Sequence, residues 1–538
     1  MEGRRYELRP GRTWVRVGAF VALATVLPGP ATIVSTGAAA QSIRTSALTP
    51  GTEPLPEADL PSVLVDGDLR HYQRIFRLQA AAQWASADRE IAALDDRLLI
   101  GTVEAQRYLH PAYRPNYTEL SHWLARHAEE PDARAIYALA LKHRPANATT
   151  MPARPAVAFL VPRGLREEQF ETAAFIDWEA GLGAWRRGRV ADARRRFAAL
   201  AARHDLSSAM TAAAAFWTAR AELRSDHPTA FTHWLGVAAE HPRTFYGLLA
   251  RRILGTDGDL ALEGDPFTVV DAGLLLDAPT GRRALALLQI GDGFRAEAEL
   301  RSLAPHASPL VIEALVAVAD RANMPALSLQ LAGLLSDGAG RRHHALYPLP
   351  RWTPVGGFTV DRALLFAVMR QESQFATRVE SPAGAVGVMQ LMPATAHAMA
   401  LRAGVRLDVG NRRQLREALA DPEINMALAQ EYITELMENA GIGDNLLLLA
   451  AAYNCGPTGP QRWQSDPELR NDPLLFLESI PHRETRIFTE RVLANYWIYR
   501  QRLGQPTPDL DALAAGEWPT YTALDLAPEP ERRHAQNR

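Results

Sequence analysis

The chain has 538 residues, enough for two or more domains, and 47% of them are hydrophobic, so a large core is available. A formal charge of −3 with no concentrated basic stretch gives no footprint for nucleic acid. The single cysteine, Cys455, excludes an intrachain disulfide and any structural zinc site built from several cysteines.

The first element is a leader. Arg4, Arg5, Arg9, Arg12 and Arg16 form a basic region, and Val17 to Leu27 is an apolar run. Pro28-Gly29-Pro30 breaks the run, and Ala38-Ala39-Ala40 offers a cleavage site before Gln41. This pattern predicts a cleaved secretory signal peptide over 1–40. The run has eleven residues, too few to cross a bilayer as a helix. Residues 1–40 carry five Arg and two Glu, a net of +3, so the mature chain would hold −3 − 3 = −6. No cysteine lies near the cleavage site, so a lipid anchor is not expected. Residues 41–66, with Pro50, Pro54, Pro56 and Pro61, read as an extended linker.

From 67 to 345 the pattern is helical with short breaks, and abundant Ala, Leu and Arg favour helix. Trp185 is followed by Gly188, Ala193 and Phe197, and Leu288 by Gly291, Ala296 and Leu300. In both, a small residue comes five after the glycine and a large apolar one nine after it. That spacing suits a tight turn and a helix packed through a close alanine contact, as in helical-repeat arrays. A generic α-bundle fits the same rhythm. The aromatic pairs Phe216-Trp217, His233-Trp234 and Phe245-Tyr246 read as inter-helix packing. Arg194-Arg195-Arg196 and Arg251-Arg252 read as solvated faces.

His343 to Gly357, with three prolines, marks a junction, and a second domain is expected over 346–503. Leu365, Val368 and Met369 share one helical face, and Glu372 projects from it seven residues after Leu365. A carboxyl at the buried end of a helix is costly unless it is used or paired, and burial would raise its pKa. Gly384 and Gly387 then make a loop whose backbone can approach a ligand closely. Ser381 before Pro382 fits a turn as well as a ligand contact. Met389 fits packing, and Gln390 can both donate and accept hydrogen bonds. Tyr453 and Asn454 end an apolar helix that starts at Leu446, so Asn454 also fits a helix cap. Pro481 suits a first helical turn, where Glu484 would favour the helix dipole. Glu380, Asp408, Asp421 and Glu423 are conceivable second carboxylates with turn or cap readings of their own. No His/Asp/Glu spacing suggests a metal, and no cofactor is expected. Residues 504–538, with five prolines and scattered charges, read as a non-core tail.

Four stretches occur in order over 115 residues: Glu372-Ser373, Ser381 to Pro393, Ala452 to Pro457 and Ile480 to Arg486. Together they resemble the soluble lytic transglycosylase family, and the resemblance is looser around Thr244-Phe245-Tyr246-Gly247. It implies a mainly α fold, with an α-superhelix of helical hairpins, open to closing into a ring, followed by a goose-lysozyme-like catalytic domain. It implies a periplasmic enzyme, without cofactor, that cuts peptidoglycan glycan strands between N-acetylmuramic acid and N-acetylglucosamine and closes a 1,6-anhydro ring. By this resemblance Glu372 is first the acid and then the base. Ser381 would hold the muramoyl residue, and Met389 and Gln390 would line the cleft. The Tyr453 hydroxyl would orient Glu372, with Asn454 beside it, and Glu484 would support substrate or tyrosine. The family usually has alanine after Tyr-Asn, where this chain has Cys455. A muramidase-type hydrolase and a non-catalytic helical-repeat protein that binds peptidoglycan are the rival readings. The resemblance implies a monomer with glycan strands as its partner and other cell-wall enzymes as compatible companions.

Overall fold

The computed structural model describes residues 59–525 apart from 149, 159, 161–171, 226, 259, 261, 263, 265, 336–341, 408–410 and 468. The expected signal peptide and nearly all of the expected linker lie outside the described residues, as do Asp408 and the last part of the tail. The described residues are helical, with no named strand among them and three isolated β-bridges. No helix among them is long and apolar enough to cross a membrane. The chain divides into two compact units, one within 29–163 and 260–351, the other within 164–259 and 352–538.

The first unit is built of helical hairpins. Its core holds Tyr72, Ile75 and Leu99 with Leu285, Leu300, Leu315 and Leu331, so its two chain segments share one interior. Trp123, fully buried, heads a second cluster with Leu120 and Ile136. The turns follow one rule in both units. Gly188 and Gly291 adopt left-handed φ of +69° and +89°. Each donates its N–H to the carbonyl three residues back, and the next residue donates five back (Arg189 to Ala184 and Asp292 to Leu287). That pair of bonds closes the helix end and reverses the chain. Ala193, Phe197, Ala296 and Leu300 are then fully buried, as the spacing predicts. A side chain at Gly181 would meet the Phe197 ring at 2.5 Å, so this glycine makes room for it.

Two more copies have no glycine. Ala82 and Asn323 are left-handed at φ +55° and +58°, with the same pair of backbone bonds. Ala87 and Ser328, five residues on, are fully buried, and Ile91 and Ala332 follow at nine. A search keyed on glycine misses them because the turn needs the conformation, and alanine and asparagine reach it at a cost.

In the second unit the helices used below are α1 (Thr172–Arg186), α2 (Ser208–Arg224), α3 (Phe245–Leu254), α4 (Arg362–Glu372), α5 (Pro422–Glu438), α6 (Leu446–Cys455), α7 (Thr458–Trp463), α8 (Pro473–Glu478), α9 (Arg483–Arg502) and α10 (Pro508–Ala514). Phe216, Trp217, Phe245 and Tyr246 are buried packing residues, as expected, whereas His233 is exposed. Helices α1 and α3 meet α8 and α9 on one buried carboxylate. Glu478 accepts from Tyr246 Oη at 2.5 Å and from Trp178 Nε1 at 3.3 Å. Arg486 donates to the Glu478 carbonyl at 2.9 Å and to Glu179 at 3.0 Å. Burial pushes the Glu478 carboxyl up, and Arg486 opposes that shift. Arg252 is not a solvated face. It pairs with Asp257 and Asp511 and donates to Thr507 at 2.7 Å, tying α3 to the start of α10.

The segment after Leu503, expected as a tail, is folded as far as 525. Leu510 and Leu513 are buried. Residues 519–525 then run across the starts of α4 and α6. Asp361 caps α4 by accepting from Ala363 N at 2.9 Å, and it also accepts from Leu524 N at 2.8 Å. The Tyr521 hydroxyl accepts from Asp361 N at 2.8 Å, and Asp525 accepts from Arg362 N at 2.8 Å. Leu446 N, at the start of α6, donates to the Pro519 carbonyl at 2.9 Å. Proline content suggested a tail because it forbids regular structure, but this segment binds through carbonyls and side chains that proline leaves free.

Left-handed strain at the two glycine-free turns predicts that Ala82→Gly raises stability by about 1 kcal/mol and Asn323→Gly by less, while Gly188→Ala lowers it by about 1 kcal/mol. Urea unfolding of the full chain measures all three. A loss of stability in Ala82→Gly would refute the strain argument.

Candidate active site

The site begins at the C-terminal end of α4. Its apolar residues Leu364 to Met369 are buried, and Glu372, its last residue, is half-buried. No described residue donates a hydrogen bond to the Glu372 carboxyl. Burial first, and the charge of Glu484 second, push it from an ordinary 4.5 up to about 8. The negative end of the α4 dipole acts in the same direction.

The chain leaves α4 under strain. Gln374 and Phe375 are consecutive left-handed residues, at φ +52° and +65°. Such positions cost about 1–2 kcal/mol each and persist only where the surroundings over-determine them. Phe375 is buried, and the Ser373 hydroxyl donates to the Val388 carbonyl at 2.7 Å. The helix end is thereby tied to the glycine loop.

That loop is a tight reversal. Val386 and Leu391 exchange backbone bonds of 3.0 and 3.1 Å. Gly387 has φ +82°, and a side chain there would meet the Leu419 carbonyl at 2.3 Å and Asn425 at 2.4 Å. Asn425 is fully buried near the start of α5 and holds the loop from below. It accepts from Met389 N at 2.8 Å and donates to the carbonyls of Val386 and Leu419 at 3.1 and 3.0 Å. Sequence reasoning missed it. The available signal was an uncharged amide between Ile424 and Met426 in an apolar helix, just after the Asp421-Pro422 cap.

Each residue singled out from the sequence has a defined place. Ser381 is mostly buried and its hydroxyl accepts from Ala385 N at 3.0 Å, so it builds the turn. Met389 is fully buried, and its carbonyl accepts from the Tyr453 hydroxyl at 2.8 Å. Gln390 is left-handed at φ +48° and donates to the Gly387 carbonyl at 2.8 Å, while its amide oxygen is buried with no hydrogen-bond partner among the described residues. The Tyr453 hydroxyl is pushed well above the phenolic range by burial and then by the charge of Glu372. Asn454 lies inside α6 and is not its cap, which is Gly456. Its side-chain oxygen accepts from the Thr485 hydroxyl at 2.7 Å, tying α6 to α9. Glu484 is exposed in the first turn of α9.

Of these residues, Glu372 feels the charge of Glu484, and Tyr453 that of Glu372. Met389 joins them through Tyr453, and Asn454 through the neighbour of Glu484. The other carboxylates have separate tasks. Glu380 is paired with Arg412 at 2.7 Å and Arg416 at 3.1 Å. Asp421 caps α5, and Glu423 accepts from Thr353 N at 3.3 Å. Among the described residues no group of three or more His, Cys, Asp or Glu is placed to hold a metal. The arrangement can deliver a proton at neutral pH from one uncompensated carboxyl.

An acid raised in the folded state favours folding only while it is protonated. The stability it contributes is fully present below about 4.5 and is lost as pH rises toward 8. At pH 7 the half-exposed carboxyl costs about 1–3 kcal/mol after discounting for solvent screening. Glu372→Gln therefore raises the thermal midpoint at pH 7 and gains little at pH 4. Equal gains at both pH values would contradict the raised pKa.

Residues 356–474 match the family described as Transglycosylase SLT domain. The soluble lytic murein transglycosylase of Salmonella typhimurium is 31% identical over 268 residues, covering 49% of this chain and 40% of the relative. That of Escherichia coli K12 is 30% identical over 282 residues, covering 51% and 41%. The chain thus spans about two fifths of the length of the curated relatives it matches. Among solved structures, the 70-kDa soluble lytic transglycosylase of Escherichia coli aligns with a TM-score of 0.52 at 21% identity, over 84% of this chain and 73% of that one. An inactive mutant of the lytic transglycosylase Slt from Pseudomonas aeruginosa aligns at 0.50 and 21%, over 82% and 72%. These two likenesses carry the fold class, helical hairpins and a lysozyme-like domain. Residues 356–474 are thus a transglycosylase SLT domain, and the chain is similar to the soluble lytic murein transglycosylases over about half of its length.

Proposed function

We propose that this protein is a peptidoglycan lytic transglycosylase, cutting the β-1,4 bond from N-acetylmuramic acid to N-acetylglucosamine in glycan strands. In this reading it acts in the periplasm after loss of residues 1–40. Its catalytic domain, 346–503, follows a superhelical region over 67–345. The observation that carries the reading is the carboxyl of Glu372, held near a pKa of about 8 without a hydrogen-bond donor from the described residues. Such a group is a protonated acid at neutral pH and a competent base once it has given its proton away.

In the first step Glu372 protonates the glycosidic oxygen and the bond from C1 to that oxygen breaks. Positive charge develops at C1. The N-acetyl oxygen of the same muramoyl residue supplies electrons to C1. In the second step the C6 hydroxyl attacks C1 and its proton passes to Glu372. The acid is restored, no water is consumed, and the muramoyl residue leaves as its 1,6-anhydro form. Tyr453, its own proton committed to the Met389 carbonyl, presents a lone pair to the site. Ser381, Gln390, Asn454 and Glu484 form the cleft walls that bind the strand, and Met389, fully buried, supports the wall from behind and does not line it as expected. Hydrolysis with the same acid would need water at C1 in place of the C6 hydroxyl.

Residues 41–538 incubated with purified peptidoglycan should release anhydro-muropeptides, measured by mass spectrometry, and Glu372→Gln should reduce release by at least about 10³-fold. Products that incorporate labelled water would establish the hydrolase reading instead. Soluble products from neither protein would leave a binding protein.

The pH dependence follows from the same group. With Glu372 as the acid, kcat/KM falls above about pH 8. Glu484→Gln removes the nearby negative charge, which moves this alkaline limb to lower pH. A limb that stays in place would mean that Glu484 does not act on the acid.

A further inference from the structure

The wall of the site that carries Asn454 and Glu484 ends in two aromatic rings that no step above uses. Trp463 is the last residue of α7, and His482 immediately precedes α9. Their ring centroids are 5.9 Å apart and their planes differ by 55°, so they form an angled corner and not a stacked pair. His482 is exposed and Trp463 is half-buried. No described residue accepts from the indole N–H or hydrogen-bonds the His482 ring.

The indole is pressed onto its own helix. A side chain at Gly459 would meet the Trp463 ring at 3.0 Å and the Cys455 sulfur at 3.5 Å. Gly459 therefore lets the indole lie within a turn of the residue after Asn454. The opposite side of the corner is the Pro481-His482-Arg483-Glu484 stretch. Thr485, next in line, is hydrogen-bonded to Asn454 at 2.7 Å, which locks the two sides together. The corner is thus rigidly joined to the residues around Glu372.

An apolar ring face beside an imidazole with free nitrogens suits one class of ligand. A pyranose presents axial C–H groups on one face and hydroxyl and acetamido groups at its edge. The C–H face is complementary to the negative face of an indole, and the edge groups to the histidine. We infer that Trp463 and His482 form a subsite for an N-acetylhexosamine residue of the glycan strand, further along the cleft than the bond cut at Glu372. The inference rests on the reading of the protein as a glycan-cleaving enzyme.

The test is calorimetric titration of a β-1,4 tetramer of N-acetylglucosamine into the full chain carrying Glu372→Gln, which blocks turnover. In that background His482→Ala and Trp463→Ala should each weaken binding about tenfold, with a circular dichroism spectrum like the parent's. In the active chain the same changes should raise KM and leave kcat within about twofold. Unchanged affinity in His482→Ala overturns the subsite, and that variant decides alone if Trp463→Ala fails to fold, because His482 is exposed and makes no hydrogen bond with the described residues. A parent protein that cleaves peptidoglycan yet binds the tetramer equally well with and without the two rings sinks this inference only. A parent that neither cleaves nor binds sinks the proposed function with it.

Discussion

The constraint on which the second unit depends is a carboxyl group partly withdrawn from water with no hydrogen-bond donor among the described residues. A half-buried Glu372 at the negative end of a helix is an unfavourable arrangement, and a nearby Glu484 makes it more so. Relaxation would be easy if any neighbour could donate a proton. None of the described ones does. The Tyr453 hydroxyl is turned toward the Met389 carbonyl, and the Ser373 hydroxyl toward the Val388 carbonyl. Both hydroxyls are occupied by backbone acceptors of the same loop. The loop therefore does two things. It shapes the cleft, and it removes the donors that would stabilise the ionised acid.

Holding such a group in place requires rigid helices, and the second unit supplies this from the far ends. Residues 519–525 bind the first turns of α4 and α6, whose last turns carry Glu372 and the Tyr453-Asn454 pair. Helix α9, which carries Glu484, is fastened separately. Arg486 reaches Glu478 and Glu179, and the same Glu478 takes the hydroxyl of Tyr246 and the indole of Trp178. Helices α1 and α3 thus belong mechanically with α8 and α9, which follow them much later in the chain. A buried carboxylate shared by four helices is expensive to desolvate and is retained only when its hydrogen bonds are well satisfied, as these are. Its benefit is geometric, since it sets where the first turn of α9 points.

What was legible in the sequence was whatever depends on local pattern. The hairpin spacing at Gly188 and Gly291 located two turns and their buried residues, because left-handed backbone and small contacts both leave a signature in residue type. The period of Leu365, Val368 and Met369 put Glu372 on a helix end. What escaped depends on partners far apart in the chain. Asn425, Glu478 and Asp361 work through carbonyls, amides and side chains of distant segments, and no spacing encodes those. Arg252 looked like a solvated face because one arginine beside another usually is, yet Asp257 from a loop and Asp511 from α10 claim it. Ala82 and Asn323 escaped for another reason. Their backbone is left-handed although their residue type does not require it.

The departure at Cys455 can be settled by the same kind of argument. A thiol next to Asn454 would matter if it faced the cleft as a nucleophile or competed for the amide. Its sulfur instead donates to the Ala451 carbonyl at 3.2 Å, one turn back along α6, and lies under Gly459. The Asn454 oxygen remains bound to Thr485. A half-buried thiol whose hydrogen is taken by a helix carbonyl behaves as a small apolar residue, and so the exchange of alanine for cysteine leaves both walls of the site as they are.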